Sequence, residues 1–338
     1  MKEKRSISLD NLSRTLFQEF LEDDKINEIC YNGTNIIFTQ DYKSKWHKHI
    51  KNIEYKQIMA FANAVASFKK DKLEPKKPIL SATLSDGERI QIVIPPVTKT
   101  DRVSITIRKP SKIRYTMKDY SEQGLFKEIV HLTENKINPV NAKLVKLFKE
   151  SNYEDFIIES VKAGKNIIIS GATGSGKTTF MKSLIDFIPS NERLITIEDT
   201  EEIIFEAHEN YVQLFYPSEA KADDLITSAS LLKSCLRMKP DRILLAELRG
   251  AETYDFLNVV GSGHNGSMSS CHAGSVEETF TRLAYMVLKN KEGQKIPFNV
   301  IENNLKEVID IVIHMSTHQG KRVITDIYFK EIEKDKTK

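Results

Sequence analysis

Residues 166–180 read NIIISGATGSGKTTF, and this stretch decides the fold class of the chain. Its three consecutive isoleucines are the β-branched, apolar run of a buried strand, and the glycines behind them predict a flexible loop. The order Gly171, Gly176, Lys177, Thr178 has the spacing of a phosphate-binding loop that runs from a strand into a helix. The stretch therefore predicts a strand, a phosphate-binding loop and a helix, in that order.

The residue types of this loop suit phosphate for physical reasons. Glycine lets consecutive backbone N–H groups turn inward around phosphate oxygens, and the helix that follows adds the partial positive charge of its N-terminus. Lys177 is expected to reach the β- and γ-phosphates, and Thr178 offers a hydroxyl group to a Mg²⁺ ion. We expect ATP to be held by the whole loop: Gly171, Ala172, Thr173, Gly174, Ser175, Gly176, Lys177, Thr178 and Thr179.

Length and composition indicate a globular protein of two domains. The 338 residues exceed one typical domain, and a hydrophobic content of 40% provides an ample core. The net charge is only +3, from 50 basic and 47 acidic residues, which does not favour a protein that coats nucleic acid.

The sequence also bears on the compartment. Cys30, Cys235 and Cys271 are far apart and form no C-x-x-C pair, which favours a reducing environment. The N-terminus lacks the apolar segment of a secretory signal, and no run approaches the roughly 20 apolar residues of a membrane span. We therefore expect a cytoplasmic protein, with peripheral attachment to a membrane left open.

Periodicity divides the chain into an α+β domain over residues 1–110, a linker at 111–116 and a larger domain over 117–335. In the first domain, residues 89–94 and 103–108 have the pattern of strands. In the last domain strands alternate with helices, which predicts a mostly parallel sheet with right-handed crossovers. We expect strands at 193–199, 242–248, 267–271, 311–315 and 323–329, helices at 178–188, 224–238, 253–260, 276–288 and 300–309, and mostly helix at 117–162.

Carboxylates follow two of these buried strands, at the edge of a parallel sheet where ligands bind. Glu198 and Asp199 end the strand after the phosphate-loop helix, and they could hold Mg²⁺ through water or orient a nucleophilic water. Glu247 follows the apolar run ILLA, where a carboxylate is costly unless it has a function or a partner. It could bind Mg²⁺ or activate water, and the alternative is a salt bridge to Arg249 or Arg242.

Two histidines flank the predicted strand 267–271, beside glycine-rich turns. An imidazole of His264 or His272 at a strand end could contact a γ-phosphate and report its loss. The alternatives are an ordinary core or surface histidine, or a metal ligand, for which no third ligand is evident.

Four motifs occur in order: the phosphate loop, ITIEDTEE at 195–202, LRMKPDRILLAELRG at 236–250 and GSGHNGSMSSCHAGS at 261–275. Together they resemble the secretion-superfamily traffic ATPases, and most of all the hexameric ATPase of bacterial type IV secretion systems. The segments ICYNG, SDGERIQIVIPPV and SITIRKP extend the resemblance to nearly the whole chain. The four-cysteine metal element of many type II secretion and pilus-motor relatives is missing, which favours the type IV branch. Ala246 departs from the glycine that usually precedes the acidic residue.

The resemblance implies an N-terminal domain that closes over a nucleotide held by a RecA-like C-terminal domain, with six subunits in a ring. Arg89 and Arg108 match arginines that reach the phosphates from the N-terminal domain, and Arg237 matches one on the helix before the Glu247 strand. Guanidinium groups there would neutralise charge on the γ-phosphate. Without the resemblance, solvated positions are the simplest interpretation of these three arginines.

These observations favour a Mg²⁺-dependent ATPase whose hexamer powers substrate transport or pilus assembly by a type IV secretion system. The alternatives are a nucleotide-gated assembly scaffold with little turnover and a RecA-like nucleic-acid motor. The expected partners are other copies of the chain, inner-membrane components of a secretion machine and a transported protein or DNA, at the cytoplasmic face of the bacterial inner membrane. The predicted catalytic residues are Glu247, Glu198, Lys177, His264, His272 and Arg237, and the predicted Mg²⁺ ligands are Thr178, Asp199 and Glu247.

Overall fold

The computed structural model describes residues 7–111, 114–127, 138–221 and 224–336. Within these ranges the chain forms an N-terminal sheet of six strands and a C-terminal sheet of seven strands. Lys112 and Ile113 of the predicted linker lie outside the described residues, as does the segment 128–137 of the predicted helical region. Among the helices that the structure describes, none has both the length and the apolar character needed to span a membrane.

The N-terminal sheet is antiparallel. Its elements are α1 (Ile7–Glu22), β1 (Ile26–Tyr31), β2 (Ile36–Asp41), β3 (Trp46–Ile50), α2 (Tyr55–Phe68), β4 (Ile79–Thr83), β5 (Arg89–Val93) and β6 (Ser104–Arg108). The strand order is β3-β2-β1-β6-β5-β4. β5 and β6 confirm the two predicted strands to within one residue. Apolar side chains of both helices and of alternating strand positions form one core cluster, as expected for a sheet that is buried on one face.

Short helices connect the two sheets: α3 (Met117–Glu122), α4 (Pro139–Lys149) and α5 (Tyr153–Lys162). α4 begins where Asn138 and Pro139 interrupt the helical pattern. The Asn138 side chain accepts a hydrogen bond from the Val140 N–H group, and Pro139 takes the first helical position, where its missing N–H group costs nothing. The described part of 117–162 is thus mostly helical, as predicted.

The C-terminal sheet confirms the predicted α/β architecture. Its strands are β7 (Ile167–Gly171), β8 (Leu194–Glu198), β9 (Tyr211–Phe215), β10 (Arg242–Leu245), β11 (Met268–Cys271), β12 (Ile311–His318) and β13 (Lys321–Phe329). Its helices are α6 (Lys177–Ile185), α7 (Ser228–Cys235), α8 (Glu252–Gly261), α9 (Val276–Leu288), α10 (Phe298–Val308) and α11 (Lys330–Lys336). The strand order is β13-β12-β7-β11-β10-β8-β9, in which the β12–β13 pair is antiparallel and the other pairs are parallel.

Some elements differ from the prediction. β10 ends at Leu245 instead of 248, so Glu247 lies in the loop beyond the strand. α7 begins after Thr227 instead of at 224, because the Thr227 hydroxyl accepts a hydrogen bond from the Ser230 N–H group and caps the helix there. β4 and β9 lie in stretches for which no strand is predicted. By contrast, α9 matches the predicted helix 276–288 at both ends.

Both faces of the C-terminal sheet are buried. Ile168 packs in one apolar cluster, whereas its neighbours Ile167 and Ile169 pack in a second cluster, because successive strand residues point to opposite faces. The strands β7, β8, β10 and β11 are mutually parallel. Their carboxyl ends therefore share one edge of the sheet, which we call the carboxyl edge, and their amino ends share the opposite edge, the amino edge.

The N-terminal domain packs against the C-terminal domain beside β9. Val93 and Val97 join an apolar cluster of the C-terminal domain, and the Phe215 N–H group donates to the Val97 carbonyl oxygen over 2.7 Å. Trp46 Nε1 donates to Asp241 Oδ2 over 2.7 Å at the amino edge. The domain interface is thus apolar in one part and polar in another.

Candidate active site

The phosphate loop joins β7 to α6 at the carboxyl edge. Gly171 adopts φ 153°, and a Cβ atom there would lie 2.2 Å from the Met315 carbonyl oxygen, so only glycine fits. Gly176 adopts φ 91° immediately before α6. Ser175 is buried, and its Oγ atom has no hydrogen-bond partner among the described residues. An unsatisfied buried hydroxyl group fits a loop that binds a polar ligand.

Lys177 opens α6 with a buried side chain whose ammonium group points back into the loop. Its Nζ atom donates to the carbonyl oxygens of Gly171 and Ala172, each over 2.9 Å, and lies 3.3 Å from His272 Nδ1. Burial lowers the pKa of Lys177, and the Glu247 carboxylate acts against that shift. Backbone carbonyl oxygens thus hold the ammonium group in a place where phosphate oxygens could replace them.

Arg249 joins the two carboxylates that follow the neighbouring strands β8 and β10. Its guanidinium group donates from Nη1 to Asp199 Oδ2 over 2.6 Å and from Nε to Glu247 Oε2 over 2.8 Å. His272 Nε2 lies 2.8 Å from Glu247 Oε1, yet this buried oxygen has no aligned hydrogen-bond donor among the described residues. The salt bridge considered as an alternative for Glu247 is therefore present, and it leaves one carboxylate oxygen able to accept.

One series of contacts thus runs along the carboxyl edge, through Lys177, His272, Glu247, Arg249 and Asp199. The sequence predicts four of these residues as site residues, whereas Arg249 enters only as a salt-bridge partner. Its position two residues after Glu247 is the one sequence signal. Burial lowers the pKa of Arg249, but its hydrogen bonds to the two carboxylates outweigh burial and raise the pKa above its ordinary value.

The same edge offers oxygen ligands for a divalent cation. Thr178 lies in the first turn of α6, and Arg249 holds the carboxylates of Asp199 and Glu247 together. Hydroxyl and carboxylate oxygens suit a hard cation that also keeps water and phosphate ligands. The residues described contain no cluster of three or more His, Cys, Asp or Glu side chains that could hold a metal ion unaided.

Glu198 does not join this group of side chains. It is fully buried, Oε1 accepts from the Thr196 hydroxyl over 2.6 Å, and Oε2 accepts from the N–H groups of Glu202 and Ile203, each over 2.9 Å. With both oxygens engaged, the carboxylate shapes the loop that follows β8 and so positions Asp199. This differs from the expectation that Glu198 itself faces Mg²⁺ or water.

The two histidines lie at opposite edges of the sheet, although they flank the same strand. His272 follows β11 and lies at the carboxyl edge beside Lys177. His264 precedes β11, and its Nδ1 atom lies 3.1 Å from the Val259 carbonyl oxygen at the amino edge. The expectation that both contact one γ-phosphate therefore fails for His264 within a single chain, because the length of β11 separates it from the phosphate loop.

The three arginines assigned by resemblance also lie away from the phosphate loop of their own chain. Arg89, Arg108 and Arg237 line a cavity of about 390 Å³ between the two domains, which we call the arginine cavity. Arg237 precedes β10 and therefore lies at the amino edge, whereas the phosphate loop lies at the carboxyl edge. The expected closure of these guanidinium groups over the phosphate loop is thus not made within one chain, since a parallel sheet separates the two places.

One carboxylate, that of Glu28, faces the arginine cavity. Its Oε1 atom lies 3.5 Å from Arg108 Nε, and the residue is only 3% exposed. Burial raises the pKa of Glu28 to about 7, while Arg108, Lys239 and Arg193 act to lower it. No sequence pattern indicates this residue, because its burial depends on how the two domains pack.

Comparison with known proteins identifies the family of the chain. The chain matches the family described as type II/IV secretion system protein over residues 13–334. It is 44% identical to the type IV secretion system protein VirB11 of Brucella abortus biovar 1 (strain 9-941), over 96% of this chain and 91% of the relative. It is 34% identical to the type IV secretion system protein PtlH of Bordetella pertussis (strain Tohama I), over 92% of each chain.

A solved structure gives the same result for the fold. The crystal structure of the VirB11 ATPase from the Brucella suis type IV secretion system, in complex with sulphate, has a TM-score of 0.90 and 42% identity to this chain. The similarity covers 98% of this chain and 96% of that one. The chain therefore belongs to the type II/IV secretion family, as a traffic ATPase of type IV secretion that hydrolyses ATP at a phosphate-binding loop.

Proposed function

We propose that this ATPase depends on Mg²⁺, assembles into a homohexameric ring and powers substrate transport or pilus assembly by a type IV secretion system. The observation that carries the proposal is the series of contacts from Lys177 through His272 and Glu247 to Arg249 and Asp199. It links a phosphate-binding ammonium group to a carboxylate whose Oε1 atom accepts no aligned hydrogen bond among the described residues. The sulphate complex of the Brucella suis relative supports an anion site, since sulphate resembles phosphate in shape and charge.

The contacts suggest how hydrolysis proceeds. Phosphate oxygens of ATP would replace the carbonyl oxygens that now accept from Lys177. Glu247 Oε1, which accepts no aligned hydrogen bond among the described residues, would accept a proton from water as the water oxygen attacks the γ-phosphorus and the bond to the β–γ bridging oxygen breaks, releasing ADP and phosphate. Thr178, Asp199 and Glu247 would bind Mg²⁺, and the bound ion would neutralise part of the phosphate charge.

His272 lies between Lys177 and Glu247, so its ring would respond to the loss of the γ-phosphate. Asp199 and Glu247 share Arg249, which fixes the orientation of the two carboxylates relative to each other. These contacts support a sensor role for His272 and a positioning role for Arg249.

We assign the arginine cavity to the nucleotide of a neighbouring subunit. In a cyclic ring, each subunit presents one face to a different face of the next subunit. Such a contact would bring Arg89, Arg108 and Arg237 of one subunit against the phosphate loop of another, where guanidinium groups stabilise the charge of the transition state. This assignment retains the phosphate-binding role expected of these arginines and replaces closure within one chain.

The ring would act at the cytoplasmic face of the bacterial inner membrane. Its partners would be inner-membrane components of the secretion machine, and its cargo would be protein or DNA. The similarity to VirB11 and PtlH, both named as type IV secretion system proteins, supports these partners. Peripheral membrane contact would show as stimulation of ATP turnover by vesicles that contain anionic lipid.

The test is ATP hydrolysis together with solution mass, with and without Mg²⁺. We expect a hexamer whose turnover requires Mg²⁺. Lys177→Ala should lose ATP binding and turnover, whereas Glu247→Gln should bind ATP and lose roughly a hundredfold to ten-thousandfold in turnover. Glu292→Gln is the matched control, because this carboxylate has 63% side-chain exposure and lies away from the loop.

Other outcomes of these assays would refute a part of the proposal or favour an alternative function. Unchanged turnover in Lys177→Ala would refute the assignment of the loop. A wild-type hexamer that binds ATP without turning it over would favour the nucleotide-gated scaffold. Hydrolysis that requires DNA would favour the nucleic-acid motor, and equal turnover in excess chelator would refute the dependence on Mg²⁺.

A further inference from the structure

The hairpin of β12 and β13 extends past the end of β7 and runs beside the phosphate loop. In the parallel pairing of β12 with β7, His314 lies opposite Ser170 and Met315 lies opposite Gly171. The residues of β12 beyond Met315 therefore continue alongside the loop that follows β7. β13 returns along them, with Arg322 opposite Thr317.

The Arg322 side chain packs directly against Gly176, the last residue before Lys177. A Cβ atom built on Gly176 would lie 2.7 Å from Arg322 Cδ, 3.0 Å from Nε and 3.3 Å from Cζ. A Cβ atom at this position would clash with the Arg322 side chain, so the two residues are in close contact. Strand register and side-chain packing thus independently bring Arg322 to the phosphate loop.

Arg322 also differs from the other arginines near the site in having no counter-ion. Its side chain is exposed, and among the described residues it makes neither a hydrogen bond nor an ion pair. Arg249 holds two carboxylates, and Arg242 is buried against Glu192. A lone guanidinium group beside Lys177 and the positive end of α6 adds like charge to like charge, which is unfavourable until an anion binds.

We propose that Arg322 binds the phosphate chain of the nucleoside di- or triphosphate held by the loop of its own subunit. The inference rests on the proposed function, since it takes ATP to be the ligand of that loop. The guanidinium group lies at Gly176, so it reaches the phosphate chain from the side opposite the carboxylates. It thereby adds a phosphate-binding arginine from the same subunit to those that we assign to a neighbour, whereas Arg249 is engaged by two carboxylates.

If Arg322 binds the phosphate chain, substituting it should weaken nucleotide binding. A charge-assisted hydrogen bond contributes enough that its loss weakens binding by roughly tenfold to a hundredfold. Arg322→Gln should weaken binding of fluorescent ADP by about that factor and lower the salt dependence of binding. Arg322→Lys keeps the positive charge but lacks the planar guanidinium group, so its affinity for ADP should lie between those of Arg322→Gln and the wild type.

The control is Lys321→Gln, which also removes one positive charge. Lys321 precedes Arg322 in β13, and its side chain points to the opposite face of the sheet. This control variant should bind ADP as the wild type does. Hexamer mass and circular dichroism of both variants should match the wild type, which separates a loss of contact from a loss of folding.

Three results would overturn the inference. One is wild-type affinity in Arg322→Gln while Lys177→Ala abolishes binding, which leaves the proposed function intact. The second is an equal loss in Lys321→Gln, which would indicate a general effect of charge. The third is a larger loss for ATP than for GTP, which would indicate contact with the base. If the wild type itself binds no nucleotide, the proposed function fails instead.

Discussion

Glu28 provides the sharpest quantitative prediction, because a buried carboxylate makes stability depend on pH. It lies on β1, only 3% exposed, with Oε1 3.5 Å from Arg108 Nε. Burial raises its pKa from 4.5 to about 7, although Arg108, Lys239 and Arg193 act to lower it. The folded state therefore binds a proton at Glu28 between these two values, whereas the unfolded chain does not.

The sign and size of this pH dependence of stability follow from proton linkage. Where the folded state binds more protons than the unfolded state, the free energy of unfolding falls as pH rises. Stabilisation by the protonated form is fully present below pH 4.5 and is lost as pH rises through about 7. Between pH 5 and pH 8 this group alone should lower the free energy of unfolding by roughly 2–3 kcal/mol.

The test compares Glu28→Gln with the wild type. The amide cannot ionise, so the wild-type minus variant difference in unfolding free energy should change by roughly 2–3 kcal/mol between pH 5 and pH 8. Urea unfolding reports it through the fluorescence of Trp46, the single tryptophan of the chain, which lies in the same domain. Glu292→Gln, at an exposed carboxylate, is the control. Parallel pH profiles for Glu28→Gln and the wild type would refute the reasoning.

Three further substitutions test the loop, the carboxylate pair and the domain interface. Gly171→Ala puts a methyl group 2.2 Å from a backbone carbonyl oxygen, so nucleotide binding should be lost; binding within threefold of the wild type would contradict the close fit. Arg249→Ala frees the two carboxylates and should cut ATP turnover by roughly a hundredfold while nucleotide binding remains; unchanged turnover would contradict its positioning role. Trp46→Phe removes the 2.7 Å hydrogen bond to Asp241 and should lower the free energy of unfolding by roughly 1 kcal/mol, measured by circular dichroism; an unchanged value would contradict a contribution of that bond.

The carboxyl-edge part of the site was predictable because it depends on local order along the chain. Lys177 follows the glycines of the loop, Asp199 and Glu247 follow strands that are mainly apolar, and His272 follows the predicted strand 267–271. Parallel strands bring their carboxyl ends together. Strand position alone therefore predicts that these side chains lie close to one another.

The sequence does not predict β9, because the polar side chain at the centre of this strand finds its hydrogen-bond acceptors only in the folded chain. Gln213 in its centre is buried, and its Nε2 atom donates to the Ile203 carbonyl oxygen over 2.8 Å and to Glu198 Oε1 over 3.3 Å. In the sequence this amide suggests a solvated segment. Only the folded chain supplies the acceptors that make its burial inexpensive.

The arrangements that the sequence does not indicate depend on packing between distant segments. His264 and His272 are eight residues apart in sequence, yet the strand between them carries them to opposite edges. The arginine cavity forms only when two domains pack, and the contact of Arg322 with Gly176 depends on the register of a hairpin. No periodicity in a single sequence encodes any of these three arrangements.

The separation of the phosphate loop from the arginine cavity has a genetic consequence. A subunit that carries Lys177→Ala retains its arginines, and a subunit that carries Arg108→Ala retains its loop. If each site in a ring combines the loop of one subunit with the arginines of the next, random mixing of the two proteins rebuilds roughly one quarter of the sites. Two alleles that are each inactive alone would then complement each other, and only by exchanging subunits within one ring.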